Sequence, residues 1–327
     1  MLNDRQLAPQ ARQTLGQEVA SFWRQMPDKG LFLTVLALWT LVFQFWGNPT
    51  FGVFGRPTPS LFEWMYLVFT TSEDDFHGLL VLPGVLILLF VKREELLATP
   101  KRIWWPALGL VALAMLLHLG GYLVQQPRLS IVAYFLGVYG LTGLVWGWPW
   151  LQATFFPMFL FIFCVPLGAV GDAITQPLRM LASKISVFIS RAFLGIPVLR
   201  DGVQIFSPTG GYRYEVAAAC SGIRSLIALL ALTCVYSFLS FRSPWRRLVM
   251  LVSSMPLAVL GNVIRLTVVI LVTEAFGPAA GLRIETKFGF VTFAFAFVCV
   301  FVLGWLLEER KPDQTSPAGA KTEGNSL

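Results

Sequence analysis

The stretch Leu248–Phe276, LVMLVSSMPLAVLGNVIRLTVVILVTEAF, decides the class of fold. A helix that spans a bilayer needs ~20 predominantly apolar residues, and this run exceeds that length while carrying Arg265 inside it. Seven further apolar runs flank it, near Leu31 to Trp46, Leu79 to Val91, Ile103 to Val124, Leu129 to Trp146, Leu151 to Val170, Val216 to Phe241 and Gly289 to Leu307. The whole composition agrees: of 327 residues, 56% are hydrophobic and 13% charged, with a mean hydropathy of +0.67. Soluble domains carry about 25% charged residues, so the chain has too little charge to cover a water-facing surface. A soluble enzyme, a disordered protein and a nucleic-acid binder are excluded on that ground, despite the net charge of +7. The expectation is an all-α polytopic membrane protein of about eight transmembrane helices.

Basic residues orient such a bundle, because membrane-proximal cytoplasmic segments are enriched in Lys and Arg. The segment before the first span, the one after the second, the loop between the sixth and seventh and the C-terminal tail together hold fourteen, from Arg5 through Lys92 and Arg242 to Lys321. The opposite side holds nine, five of them in the segment Gly171 to Glu215. Both termini are therefore expected in the cytoplasm, as residues 1–30 and a disordered tail at 308–327. The transmembrane domain would be residues 31–307, with residues 170–215 outside. Within that outer segment Ile174, Leu178, Leu181, Ile185 and Phe188 recur at helical spacing, while Arg179, Lys184 and Arg191 lie among the polar positions. This pattern predicts an amphipathic helix lying in the membrane interface. Alternation at Val203, Ile205, Tyr212, Tyr214 and Val216 around Pro208–Gly211 predicts a β-hairpin leading into span six. Leu61 to Thr71, apolar but brief and containing Glu63, reads as interfacial or re-entrant.

Four cysteines and two histidines narrow the chemistry. Cys164, Cys220, Cys234 and Cys299 lie far apart without metal-ligand spacing, so neither a zinc site nor a disulfide framework is indicated, and no cofactor is called for. Ionisable groups inside spans are costly and mark function by default. Arg224 follows Cys220 by one helical turn in Ala219-Cys220-Ser221-Gly222-Ile223-Arg224, and Arg265 follows Asn262 in Asn262-Val263-Ile264-Arg265. With the orientation above, Cys220 opens span six from outside and Arg265 falls in the outer half of span seven. Arg283, Glu285 and Lys287 precede span eight, and Asp74, Asp75 and His77 precede span two. All four stretches come to one depth. A cysteine at a helix start beside arginines is favoured as thiolate, the attacking species, and an arginine can stabilise a developing oxyanion. His77 reads as an interfacial residue shaping an entrance; the sharper alternatives are a base or, with Asp74 and Asp75, a metal ligand. His118, mid-span among leucines, reads as a packing residue, and Asn262 as a hydrogen-bonding group between helices.

At these residues the sequence resembles the exosortase/archaeosortase family of membrane-embedded cysteine transpeptidases. The resemblance rests on Ala218-Ala219-Cys220-Ser221-Gly222-Ile223-Arg224-Ser225, on Asn262-Val263-Ile264-Arg265, and on Phe76-His77-Gly78 early in the chain. It implies an inner-membrane enzyme that cleaves C-terminal sorting signals (PEP-CTERM-like) of exported proteins through a thioester and transfers them to a surface anchor. Its partners would be those exported proteins and the lipid bilayer, not nucleic acid. Cys220 would be the nucleophile and Arg265 the second catalytic residue, with Arg224 in support. The third position, usually histidine four residues before a Gly-aromatic pair, is Glu285 here, counted from Gly289-Phe290, with Arg283 and Lys287 as close alternatives. A permease that binds an anionic group through Arg224 and Arg265 is the competing class; it predicts inverted repeats, and the sequence contains none. A non-catalytic exosortase-like protein is the third reading, raised by the missing histidine.

Overall fold

The computed structural model describes residues 14–47, 59–72, 74–208, 211–215 and 222–308, with backbone alone at 169, 170, 172, 214, 215, 222–225 and 285–290. The chain divides into two compact units, one up to Gln176 and one from Pro177. Cys220 and the C-terminal tail lie outside the described residues.

Among its described residues the first unit contains helices and no strand. Helix α1 (Leu15–Gln25) turns at Asp28, whose φ is 49°, and meets α2 (Lys29–Phe45) at a bend of 94°. Helix α3 (Leu61–Thr71) is capped by Ser60, whose hydroxyl accepts the Glu63 N–H at 3.2 Å. There follow α4 (Gly78–Val91), α5 (Arg93–Ala98), α6 (Ala107–Leu123), α7 (Pro127–Trp146) and α8 (Trp148–Phe159), the last continued by a 3-10 turn over Leu160–Cys164. A single residue, Gly147, separates α7 from α8. Its φ of 93° and the Arg102 carbonyl, 2.7 Å from where a Cβ would sit, leave room only for glycine. Trp146 anchors one end of the unit, packed on Phe32 and Trp150 with ring centroids at 4.5 and 4.6 Å. Its indole N–H donates to the Pro27 carbonyl at 3.0 Å.

The fifth predicted span needs correction. The run Leu151 to Val170 is not one continuous helix, because the 3-10 turn ends at Cys164 and α9 (Ala169–Ala192) begins after Gly168. Pro166 cannot donate to a helix ladder. Its carbonyl instead accepts the Arg128 Nε–H at 2.7 Å, and Gly168 turns with φ 50°.

Helix α9 contains the boundary between the units. Along it Arg179, Ser183, Ser186 and Ser190 are buried, whereas Lys184 and Arg191 are exposed together with Ile174, Leu181 and Phe188. After α9 the second unit holds a three-stranded antiparallel sheet, β1 (Leu199–Asp201), β2 (Gln204–Phe206) and β3 (Arg213–Glu215), in the order β1-β2-β3. The alternation read as a hairpin is thus part of a meander with one more strand. Three helices complete the unit: α10 (Gly222–Ser240), α11 (Pro244–Phe276) and α12 (Pro278–Leu306).

Among the described residues, α7 and α11 are each long and apolar enough to cross a bilayer, and α1 with α2 qualify as a bent pair. Five shorter apolar helices accompany them, at Gly78–Val91, Ala107–Leu123, Trp148–Cys164, Leu226–Ser240 and Val291–Leu306.

Candidate functional site

The last three helices of the second unit fix the depth of the candidate residues. Helices α11 and α12 are joined at Gly277 and run antiparallel. Met250 and Ala258 share a buried cluster with Ala296 and Val300, and Leu303 packs against it. Midway, Gly261 lets the two backbones approach, a Cβ there standing 3.8 Å from the Thr292 carbonyl. In this hairpin Arg265 lies level with residues 288–289. Helix α10 runs parallel to α12. The Tyr236 ring occupies the space a side chain at Gly304 would need and meets Phe301 edge-on at 5.3 Å. Tyr236 thus contacts residues 65 and 68 positions further along, and the same offset sets Gly222 level with residues 287–290. The described start of α10, Arg265 and residues 287–290 of α12 therefore share one level, within about a helical turn.

The individual residues are placed as follows. Asn262 and Arg265 stand three apart on α11 and so share a face. Asn262 is buried, and Arg265 is half-buried with its Nε shielded from solvent. Arg224 lies in the first turn of α10, two residues after Gly222. Arg283, Glu285 and Lys287 do not precede the last helix, as the span Gly289 to Leu307 implies, but belong to it. Pro278 opens α12 at a position where its missing N–H costs nothing. Arg283 is exposed there. His77 belongs to the first unit, where it precedes α4 and its Nδ1–H donates to the Asp74 carbonyl at 2.9 Å. Among the described residues no cluster of three or more His, Cys, Asp or Glu could hold a metal ion.

Two supports of α11 were not legible in the sequence. The Ser186 hydroxyl on α9 donates to the Val263 carbonyl at 3.3 Å, pinning α11 between Asn262 and Arg265. Tyr212, just before β3, donates its phenol to Glu274 near the end of α11 at 3.2 Å. Ala182 and Val187 of α9, Ile196, Val198 and Ile205 of the sheet segment, and Val263, Leu266 and Ile270 of α11 form one buried cluster behind these contacts. The serines at i, i+3 and i+7 on α9 were the available signal, since hydroxyls on one face of a membrane helix mark a helix contact.

The other cysteines and His118 lie within the helical packing, with Cys299 half-buried. Cys164 and Cys234 are buried, and the Cys164 thiol lies 3.8 Å from the Gly78 carbonyl. His118 is enclosed, with Nδ1 3.0 Å from the Ser130 hydroxyl and Nε2 3.0 Å from the Trp46 carbonyl.

Helices of this length and hydropathy, with an arginine held within their packing, define a multi-pass helical membrane protein. Residues 64–302, nearly three quarters of the chain, match the family described as Transmembrane exosortase (Exosortase_EpsH), and the chain belongs to that family. All the candidate residues, from His77 to Lys287, fall within the matched region. No curated protein and no solved structure matches the chain.

Proposed function

We propose that the chain is a multi-pass inner-membrane cysteine protease-transpeptidase that cleaves C-terminal sorting signals of exported proteins and transfers them to a surface anchor. The observation that carries this reading is the helix register, which sets the start of α10, just after Cys220 in sequence, at the level of Arg265 and of residues 287–290 of α12. The family match supports it. The reading has both termini in the cytoplasm and the reaction on the opposite side.

In this mechanism the Cys220 thiolate attacks the scissile carbonyl carbon. Arg265, with Arg224 in support, stabilises the negative charge that develops on the carbonyl oxygen. The C–N bond then breaks, the leaving amine takes up the proton lost by the thiol, and the substrate remains as a thioester on Cys220. A second nucleophile attacks the thioester and releases the protein onto its anchor. Glu285 occupies the third position, as proton carrier or as a carboxylate holding Arg265, with Arg283 and Lys287 nearby in sequence. Asn262 orients Arg265, and His77 shapes the approach of the substrate.

The test is co-expression with a tagged substrate whose C-terminus carries a Pro-Glu-Pro motif, an apolar helix and a basic cluster. Wild type is expected to yield the shortened product and Cys220→Ala the uncut protein. Equal cleavage by both would reject the mechanism.

A further inference from the structure

The first unit holds a cavity of about 1250 Å³ whose wall is almost wholly apolar, built from α1 to α5, α7 and α8. Val19 and Trp23 on α1 and Leu82 and Leu86 on α4 line it and are also exposed, so the cavity opens outward between these helices. Its size limits the occupant. A spanning helix ~10 Å across and ~30 Å long displaces ~2400 Å³, about twice the space present. Slender hydrocarbon chains fit where a helix does not.

One end of the cavity is cationic. The Lys101 ammonium donates to the carbonyls of Leu96, Leu97 and Thr99 at 2.9, 3.1 and 3.1 Å and sits 5.5 Å from the centre of the Trp150 ring. The Lys29 ammonium donates to the carbonyls of Trp23 and Arg24 at 3.4 and 3.2 Å. Trp23, Leu96 and Trp150 all line the cavity. Nearby Arg93 is neutralised by Glu18 at 3.0 Å, and Lys92 by Glu95 at 3.3 Å. Lys29 and Lys101, by contrast, are held by carbonyls, with no carboxylate partner among the described residues. Two positive charges that no carboxylate neutralises among the described residues thus stand beside residues lining one end of an acyl-sized cavity, and α1, amphipathic and bent 94° from α2, forms part of its wall.

We propose that this cavity is a binding site for one anionic phospholipid, its acyl chains in the apolar space and its phosphodiester beside Lys29, whose third N–H is not taken by the Trp23 and Arg24 carbonyls, with Lys101 adding a second positive charge at that end. Basic pockets between membrane helices recognise anionic headgroups in this way, each Lys near the surface contributing about 1 kcal/mol, or about fivefold in affinity. The site is independent of the cleavage reaction and is tested without it.

Full-length protein is reconstituted into vesicles of phosphatidylcholine with a minor fraction of phosphatidylglycerol. It is then re-extracted in mild detergent, and the retained lipid is identified by native mass spectrometry. Wild type is expected to keep one phosphatidylglycerol, enriched over the vesicle ratio on the order of tenfold. Lys29→Gln should cut that enrichment about fivefold and Lys29→Arg should preserve it, both with unchanged melting temperature. Leu82→Trp, which fills the cavity from an exposed position, should lose the retained lipid of either kind. Wild type that retains lipids in the vesicle ratio, or a Lys29→Gln protein as enriched as wild type, overturns the proposal.

Discussion

His118 provides the sharpest separation of structure from chemistry, because a cysteine peptidase normally employs a histidine and this chain has two. The Trp46 carbonyl can only accept, so Nε2 carries a proton, and the Ser130 hydroxyl serves Nδ1. The ring also packs on Phe43 with centroids 4.4 Å apart. His118→Ala removes two interhelical hydrogen bonds, each worth ~0.6–1.7 kcal/mol in a membrane protein. It also leaves a ring-sized void, which adds about 2 kcal/mol or more. The expected loss is about 3–5 kcal/mol, equivalent to a fall in melting temperature on the order of 10 °C for a unit of this size. Detergent-solubilised protein followed by fluorescence-detected size exclusion across a temperature series measures it. Cleavage by the surviving folded fraction, assayed at low temperature, should equal that of wild type, and His118→Gln should recover part of the stability. A His118→Ala protein that melts like wild type but no longer cleaves would refute the argument and make His118 part of the chemistry.

Other perturbations act on the register and the supports. Gly304→Val must displace the Tyr236 ring, costing about 1–3 kcal/mol; because that contact sets the level of α10, cleavage should fall more steeply than melting temperature. Tyr212→Phe removes an exposed hydrogen bond to Glu274 and should cost no more than about 1 kcal/mol, visible as faster proteolysis of the sheet segment with the helical core intact. Burial lowers the pKa of Lys101 below the usual lysine value. The unfolded chain then binds more protons between the folded pKa and ~10.4, so stability should rise with pH across that alkaline window. Lys101→Met should lack this rise in a melting series.

Much of the helical plan is legible in hydropathy alone, because the cost of leaving a backbone unpaired in lipid makes nearly every apolar run helical. Leu61–Thr71 forms a helix at the bounds its apolar run suggests, and Asn262 and Arg265 fall on one helix in the order the sequence implies. What hydropathy omits is contact between segments. The sequence contains Tyr236 and Gly304, but nothing local says that the ring fills the glycine's gap and thereby fixes one helix against another. Helix α9 shows the same omission: its apolar stripe is plain in the sequence, but nothing local says that Ser183, Ser186 and Ser190 face protein or that Ser186 holds α11. Amphipathicity reports that two faces differ; inside a bilayer the polar face is the one that needs a protein partner.

The same reasoning bears on Glu285, which the proposed mechanism puts in the third position. In a loop before the last span, Glu285 would be a solvated carboxylate with little influence on a thiol. As part of a helix that begins at Pro278, it stands instead about one turn from the level of Arg265, since in the α11–α12 hairpin residue 285 lies opposite residue 268. A carboxylate near an arginine lowers the cost of keeping it inside the packing, and an unpaired one would raise a neighbouring thiol's pKa. Those effects oppose each other and divide two substitutions. If the carboxylate holds Arg265, Glu285→Gln should weaken cleavage at every pH. If it chiefly suppresses the thiolate, Glu285→Gln should speed cleavage at neutral pH and shift the pH profile to lower values. Glu285→His, which restores the common residue, should then raise the rate further only in the second case. The pH dependence of cleavage by these two variants therefore reads the role of the third position directly.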